Sequence, residues 1–215
     1  MRHKLSQSLV PLAIAAALLP LGSQAQLRIT EVESSENGGK KPDWWELTNL
    51  GNSPVDITGY RMDDDSASFA LSVALSGVTS IDSGASVAFF EVAGTTPLTI
   101  QGFRDWWGLN SSVPVGTYSG SGVGLNNSGD AVNIYTSTGA LVDGVILGTA
   151  TKGVTFGWDP VTRALSGLSQ LGVNGAFTAA QDGDIGSPGV VVAPEPSAWM
   201  ILGLGLAGLF MRRRR

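Results

Sequence analysis

The sequence predicts an all-β protein, a β-sandwich carried between two short address segments. Glycine is abundant, at 29 of 215 residues, charged residues make up only 14%, and Ser, Thr, Val and Asn are frequent. That composition suits short strands joined by tight turns. Apolar and polar residues alternate with period two in several short runs, the mark of half-buried strands. Seven to nine such runs fall within about 130 residues, with turn signals roughly every ten positions, a spacing that suggests a sandwich.

LRITEVE (27–33) alternates cleanly, and the polar, glycine-containing stretch 34–42 is a loop. DWWELTN (43–49) alternates again, with Trp45, Leu47 and Asn49 on one face and Trp44, Glu46 and Thr48 on the other. After the turn LGNSP, Val55, Ile57 and Gly59 share a face; Asp63, Asp64 and Asp65 open a loop. Residues 78–81 and 86–92 read as strands joined by DSGA. Residues 103–109 fit a short helix or a strand, and 111–124 is a Gly/Ser-rich loop. AVNIYT (131–136) and LVDGVIL (141–147) flank STGA as a hairpin, and VTFGW (154–158) is a last strand closed by Asp159-Pro160. From 161 to 193 the pattern weakens into Gly, Ala and Ser, which reads as a partly ordered tail and linker.

Both ends read as addresses. Arg2 and Lys4 precede an almost wholly apolar run (9–21); Pro20 and Gly22 break it, and Ser23-Gln24-Ala25 is a small-residue cleavage site, which places the cut after Ala25. At the other end, 198–211 is uncharged and apolar and is followed by Arg212, Arg213, Arg214 and Arg215. As a helix it spans roughly 21 Å, short of the about 30 Å hydrocarbon core, so it is too brief for a comfortable permanent anchor. The arginines stay cytoplasmic by the positive-inside rule, which puts the remainder outside the inner membrane, in agreement with the N-terminal signal. Before it, Pro194, Glu195, Pro196 and Ser197 form a stiff, extended tag, because each proline fixes φ and restricts its predecessor. A Pro-Glu-Pro motif, a short apolar helix and a terminal arginine cluster together resemble the PEP-CTERM sorting signal of Gram-negative bacteria. The resemblance implies recognition by an exosortase, cleavage near the motif, transient membrane anchoring, and delivery to the cell surface or extracellular polysaccharide matrix. Gly203-Leu-Gly205-Leu-Ala-Gly208 fits a dinucleotide fingerprint in letters alone; no strand precedes it and no βαβ unit can follow.

The mature part, from Gln26 to about Pro196, holds seven basic and 18 acidic residues, a formal charge of −11. A domain this acidic repels nucleic acid and anionic lipid. It has no cysteine, and the single histidine, His3, lies in the signal. Ser-His-Asp triads, Cys-His nucleophiles and N/S zinc sites are therefore excluded, and stability must come from burial.

The pieces Leu27-Arg-Ile-Thr-Glu31, Asp43-Trp-Trp-Glu46-Leu-Thr-Asn49, Pro54-Val-Asp-Ile-Thr-Gly59-Tyr60 with Asp63-Asp64, Gly124-Leu-Asn-Asn-Ser-Gly129-Asp130-Ala-Val-Asn-Ile-Tyr135 and Leu141-Val-Asp143 resemble, in order, the lamin tail domain. The likeness runs over 27–163 and implies an immunoglobulin-like β-sandwich with no catalytic residues; the long stretch 91–122, holding Trp106-Trp107, departs from it. The expected organisation is a signal peptide (1–25), a lamin-tail-like domain (26–163), a Gly/Ala/Ser-rich tail and linker (164–193) and a sorting signal (194–215), so that a signal helix and a short C-terminal membrane helix flank the sandwich.

Strand alternation exposes one tryptophan of each pair, which makes Trp44 and Trp106 candidates for stacking on a sugar or anchoring a partner, against the alternative, and favoured, reading of core packing plus rim cover. Asp63, Asp64 and Asp65, with Asp182 and Asp184, match no calcium-loop spacing and read as solvated carboxylates; neither a metal nor a cofactor is expected. Glu31 and Glu46, expected on neighbouring strands, could form the pair that a carboxylate-dependent hydrolase would need, but the lamin tail resemblance carries no catalytic residues and they read as structural or surface groups. The leading expectation is a non-enzymatic, exported interaction or adhesion module whose partners are an exosortase and an extracellular polysaccharide or surface protein. A carbohydrate-binding module is the alternative, and a hydrolase a third.

Overall fold

The computed structural model describes residues 27–38, 41–95 and 97–190. The signal helix and cleavage site expected at 1–25, and the sorting motif and membrane helix expected at 194–215, lie outside them. Among the described residues no helix is long and apolar enough to cross a membrane.

The described elements are, in chain order, β1 (Leu27–Glu33), β2 (Trp44–Asn49), β3 (Val55–Asp56), β4 (Arg61–Asp63), β5 (Val73–Ala74), β6 (Ser80–Ile81), β7 (Ser86–Glu91), α1 (Ile100–Trp107), β8 (Val115–Tyr118), β9 (Asp130–Tyr135), β10 (Leu141–Leu147), β11 (Phe156–Trp158), β12 (Leu165–Leu168), β13 (Phe177–Thr178) and β14 (Ile185–Gly186). A six-stranded sheet runs β12-β11-β1-β2-β7-β8 and a four-stranded sheet β10-β9-β4-β5. The two enclose one apolar core: Ile29, Val32, Trp45, Leu47, Val87 and Phe89 from the larger sheet meet Met62, Val132, Ile134 and Leu147 from the smaller. The period-two residues of β1, β2, β7 and β9 thus bury as their alternation demands, giving a mostly β structure with one short helix, consistent with an immunoglobulin-like sandwich.

A third layer covers the outer face of the large sheet. Thr99 caps α1, accepting from the Gly102 amide at 2.9 Å, and Gly108 ends the helix in the left-handed region (φ 73°). Phe103, Trp106 and Trp107 recur at helical spacing and pack with Trp44, Ala88, Phe90 and Val115 into a second core. The stretch 91–122, read as helix or strand followed by loop, is a β7-α1-β8 unit: β8 pairs parallel with β7, which requires a crossover, and α1 supplies it. At Gly116 a Cβ would overlap the Phe89 ring and come within 2.8 Å of the Ser76 carbonyl oxygen, so only glycine lets β8 lie there.

The 164–193 segment is no linker as far as Val190. β12 extends the large sheet beside β11, and β13 and β14 pair with each other. Val154 bridges to Ile185, which places this unit against the large sheet. Its glycines and alanines carry little periodicity because what holds it is contact with chain far away in sequence.

Candidate functional site

The outer face of β1 and β2 presents carboxylates where a solvated sheet would present them to water. Here they are covered. Glu31 and Glu46 are direct cross-strand partners, and a register shift between Ile29 and Glu31 brings them opposite each other. Glu31 Oε1 accepts from Thr155 Oγ1 at 2.5 Å and the Ser187 amide at 2.7 Å, and its Oε2 accepts from Ser187 Oγ at 2.9 Å. Glu46 Oε1 accepts from Thr30 Oγ1 at 2.8 Å, and its Oε2 from the Gly189 amide at 2.6 Å. The two carboxyls thus clamp a strap, Ser187 to Val190, that ends the described chain. Burial raises the pKa of both, opposed by these donors; Glu31 pushes Glu46 further, to about 8.

Beside the clamp, Glu33 Oε2 accepts from Trp44 Nε1 at 2.6 Å, and burial with Asp184 nearby pushes Glu33 to about 9. Asp184 Oδ2 accepts from Trp106 Nε1 at 2.9 Å and its Oδ1 from the Asn37 amide at 2.7 Å. The indoles of Trp44 and Trp106 are therefore donors to buried acids. Both residues are 0% exposed, and the expectation that they stand free to stack on a sugar is corrected. Alternation failed at Trp44 because both faces of its sheet are covered, and at Trp106 because it sits on a helix.

A cleft of about 400 Å³ opens next to the clamp. Thr30, Glu46 and Thr48 lie on one side, Ser169, Gln170 and Asn174 on another, and Val161, Leu168, Val173 and Val190 are among its apolar walls. No sequence signal marked it, because its walls come from β1, β2, β12 and the strap.

The acidic loop residues divide. Asp63 and Asp184, read as solvated, are buried. Asp63 Oδ2 accepts from Ser66 Oγ and the Ser68 amide, at 2.7 and 2.6 Å, and so shapes its loop. Carboxylate oxygens of Asp64, Asp65 and Asp130 lie within 4.8 Å of one another. Asp130 already accepts from the amides of Asp65, Asn126 and Ala131, at 3.2, 2.5 and 2.7 Å, so it ties two loops together. Asp143, unmarked in the sequence beyond its motif, accepts from the Ile29 amide at 2.9 Å and from Arg163, and so pins β10 to β1.

A family model for the Lamin Tail Domain matches residues 21–148, more than half of the chain. This chain belongs to the lamin tail domain family. A second match, to the PEP-CTERM protein-sorting motif, covers residues 192–215. That motif points to export and cell-surface sorting and implies recognition by an exosortase. No curated protein matches the chain. The lamin tail domain match ends just after β10, so β11 to β14 and the strap lie beyond it, and the sorting motif begins two residues after Val190.

Proposed function

We propose that this is a non-enzymatic interaction or adhesion module, exported through its N-terminal signal, held briefly by its C-terminal helix, cut by an exosortase and left at the cell surface or in the polysaccharide matrix. The observation that carries the reading is the order of parts: a lamin tail domain, further strands clamped to it through Ser187 and Gly189, then a sorting motif at 192–215. A folded cargo attached directly to a sorting label needs no linker to be delivered. The non-enzymatic reading is supported by the carboxylate pair. Glu31 and Glu46 spend their oxygens on Thr155, Ser187, Thr30 and Gly189, so their chemistry is structural. The absence of Cys and of His outside the signal agrees. Burial of Trp44 and Trp106 removes the stacking platform on which the carbohydrate-binding alternative stood.

The test is fractionation of a host with and without its exosortase. The reading expects surface or matrix protein in the first and uncut, membrane-retained chain in the second. Equal release from both hosts refutes it.

A further inference from the structure

Val161, Leu165, Leu168, Leu171, Val173 and Val190 are exposed large apolar residues, Leu171 by 63% and Val161 by 60%. Four of them, Val161, Leu168, Val173 and Val190, border one cleft and are therefore neighbours in space. The chain carries no charged residue from Ala164 to Gln181, although residues 26–193 as a whole have a formal charge of −10. The charges at the border are engaged: Asp159 accepts from the amides of Val161 and Thr162, at 2.9 and 2.6 Å, and Arg163 pairs with Asp143. Clustered exposed apolar side chains on a soluble domain mark a contact surface.

What covers this surface follows from where the chain leaves it. Val190 belongs to the patch and is the last described residue. Pro194 stands four residues further on and the apolar stretch opens at Ala198, distances of at most about 14 Å and 28 Å along an extended chain. A segment destined for the bilayer therefore keeps this face within reach of lipid. It is also the face an acidic domain can turn toward an anionic leaflet without repulsion.

We propose that this apolar face, bordered by Asp159 and Arg163, rests on the lipid surface of the membrane into which the sorting segment inserts. The proposal depends on the sorting reading above. While the tail tethers the domain, high effective concentration makes a weak contact sufficient. Once the tail is cut, a few aliphatic side chains with one basic residue at the border, Arg163, itself paired with Asp143, cannot hold an acidic domain on anionic lipid. Cleavage then releases the domain without any change in its fold.

The chain has no cysteine, so single-cysteine variants of the full chain report position cleanly. Leu171→Cys and Val173→Cys, with Ile146→Cys on β10 (82% exposed) as control, are labelled with a polarity-sensitive fluorophore. They are then reconstituted into mixed phosphatidylethanolamine and phosphatidylglycerol vesicles. The expected result is a blue shift and quenching by lipid-borne nitroxide at 171 and 173, with several-fold weaker iodide quenching there than at 146. If the chain floats with the vesicles while 171 and 173 stay as accessible to iodide as 146, this proposal falls and the sorting reading stands. If the chain fails to float, both fall. Protection that arises only when an exosortase is added assigns the face to a protein and overturns the proposal.

Discussion

Replacing Glu46 by Gln tests the clamp at its most loaded point. In the fold, burial first and Glu31 second raise the Glu46 carboxyl from 4.5 to about 8. The folded state therefore holds a proton that the unfolded chain has released. Its contribution to stability is fully present below the unfolded pKa and is lost as pH rises through the folded one. Between pH 5 and pH 8 that loss is on the order of 4 kcal/mol for this one group, at about 1.4 kcal/mol per pH unit. For a domain of this size it corresponds to a fall in Tm of roughly 8–16 °C. Glutamine mimics the protonated acid: its carbonyl oxygen accepts from the Gly189 amide and its NH₂ donates to Thr30 Oγ1, the two partners the carboxyl now has. At pH 5 Glu46→Gln is thus expected within about 1 kcal/mol of wild type, and by pH 8 it is the more stable protein. Thermal unfolding followed by tryptophan fluorescence across pH 5–8.5 measures both slopes. Glu31, Glu33 and Asp43, all raised chiefly by burial, the latter two to about 9 and about 7, leave a residual downward slope of the same sign in the variant. Equal slopes for wild type and variant, or a stability that rises from pH 5 to 8, would refute the reasoning.

Asp143→Ala is expected to cost about 2–4 kcal/mol, since it orphans the buried Ile29 amide, whereas Arg163→Ala, whose side chain is half exposed, costs less than about 1 kcal/mol; urea unfolding separates them. Gly116→Ala drives a methyl group into Phe89 and is expected to cost about 1–3 kcal/mol or to abolish folding, read from the same transition. Trp44→Phe leaves Glu33 without its donor and is expected to lose about 1–3 kcal/mol of stability. Its mobility in affinity gels of neutral polysaccharide is expected to match that of wild type, because the indole is buried.

How much of this was legible in the residues depends on how locally each feature is determined. The strands at β1, β2, β7, β9 and β10 and the 137–140 hairpin carry their own periodicity and turn chemistry, and they stand where alternation puts them. Features whose cause is remote leave no local signal. β12 to β14 look like a linker because their register is set by β11 and by the carboxyls of Glu31 and Glu46, more than 140 residues upstream of the strap they hold. Trp44 was assigned to solvent because alternation describes one covered face, and here α1 covers the second. Asp184 read as a solvated acid because its neighbours are Asp182 and Gly183; only the fold brings it to the indole of Trp106. The pair Glu31 and Glu46 reads from the sequence as structural or surface groups; the fold buries both and surrounds them with the donors Thr155, Ser187, Thr30 and Gly189, which no local pattern could indicate.

The account rests on a folded domain, described as far as Val190 and matching the lamin tail domain over its first part, followed by a disposable sorting label. High-resolution mass spectrometry of the exported protein's C-terminus tests both halves at once. The predicted mass retains Ser187 to Val190 and ends within or near Pro194 to Ser197. A mass that runs intact through Arg215, or one cut upstream of Ser187, contradicts it.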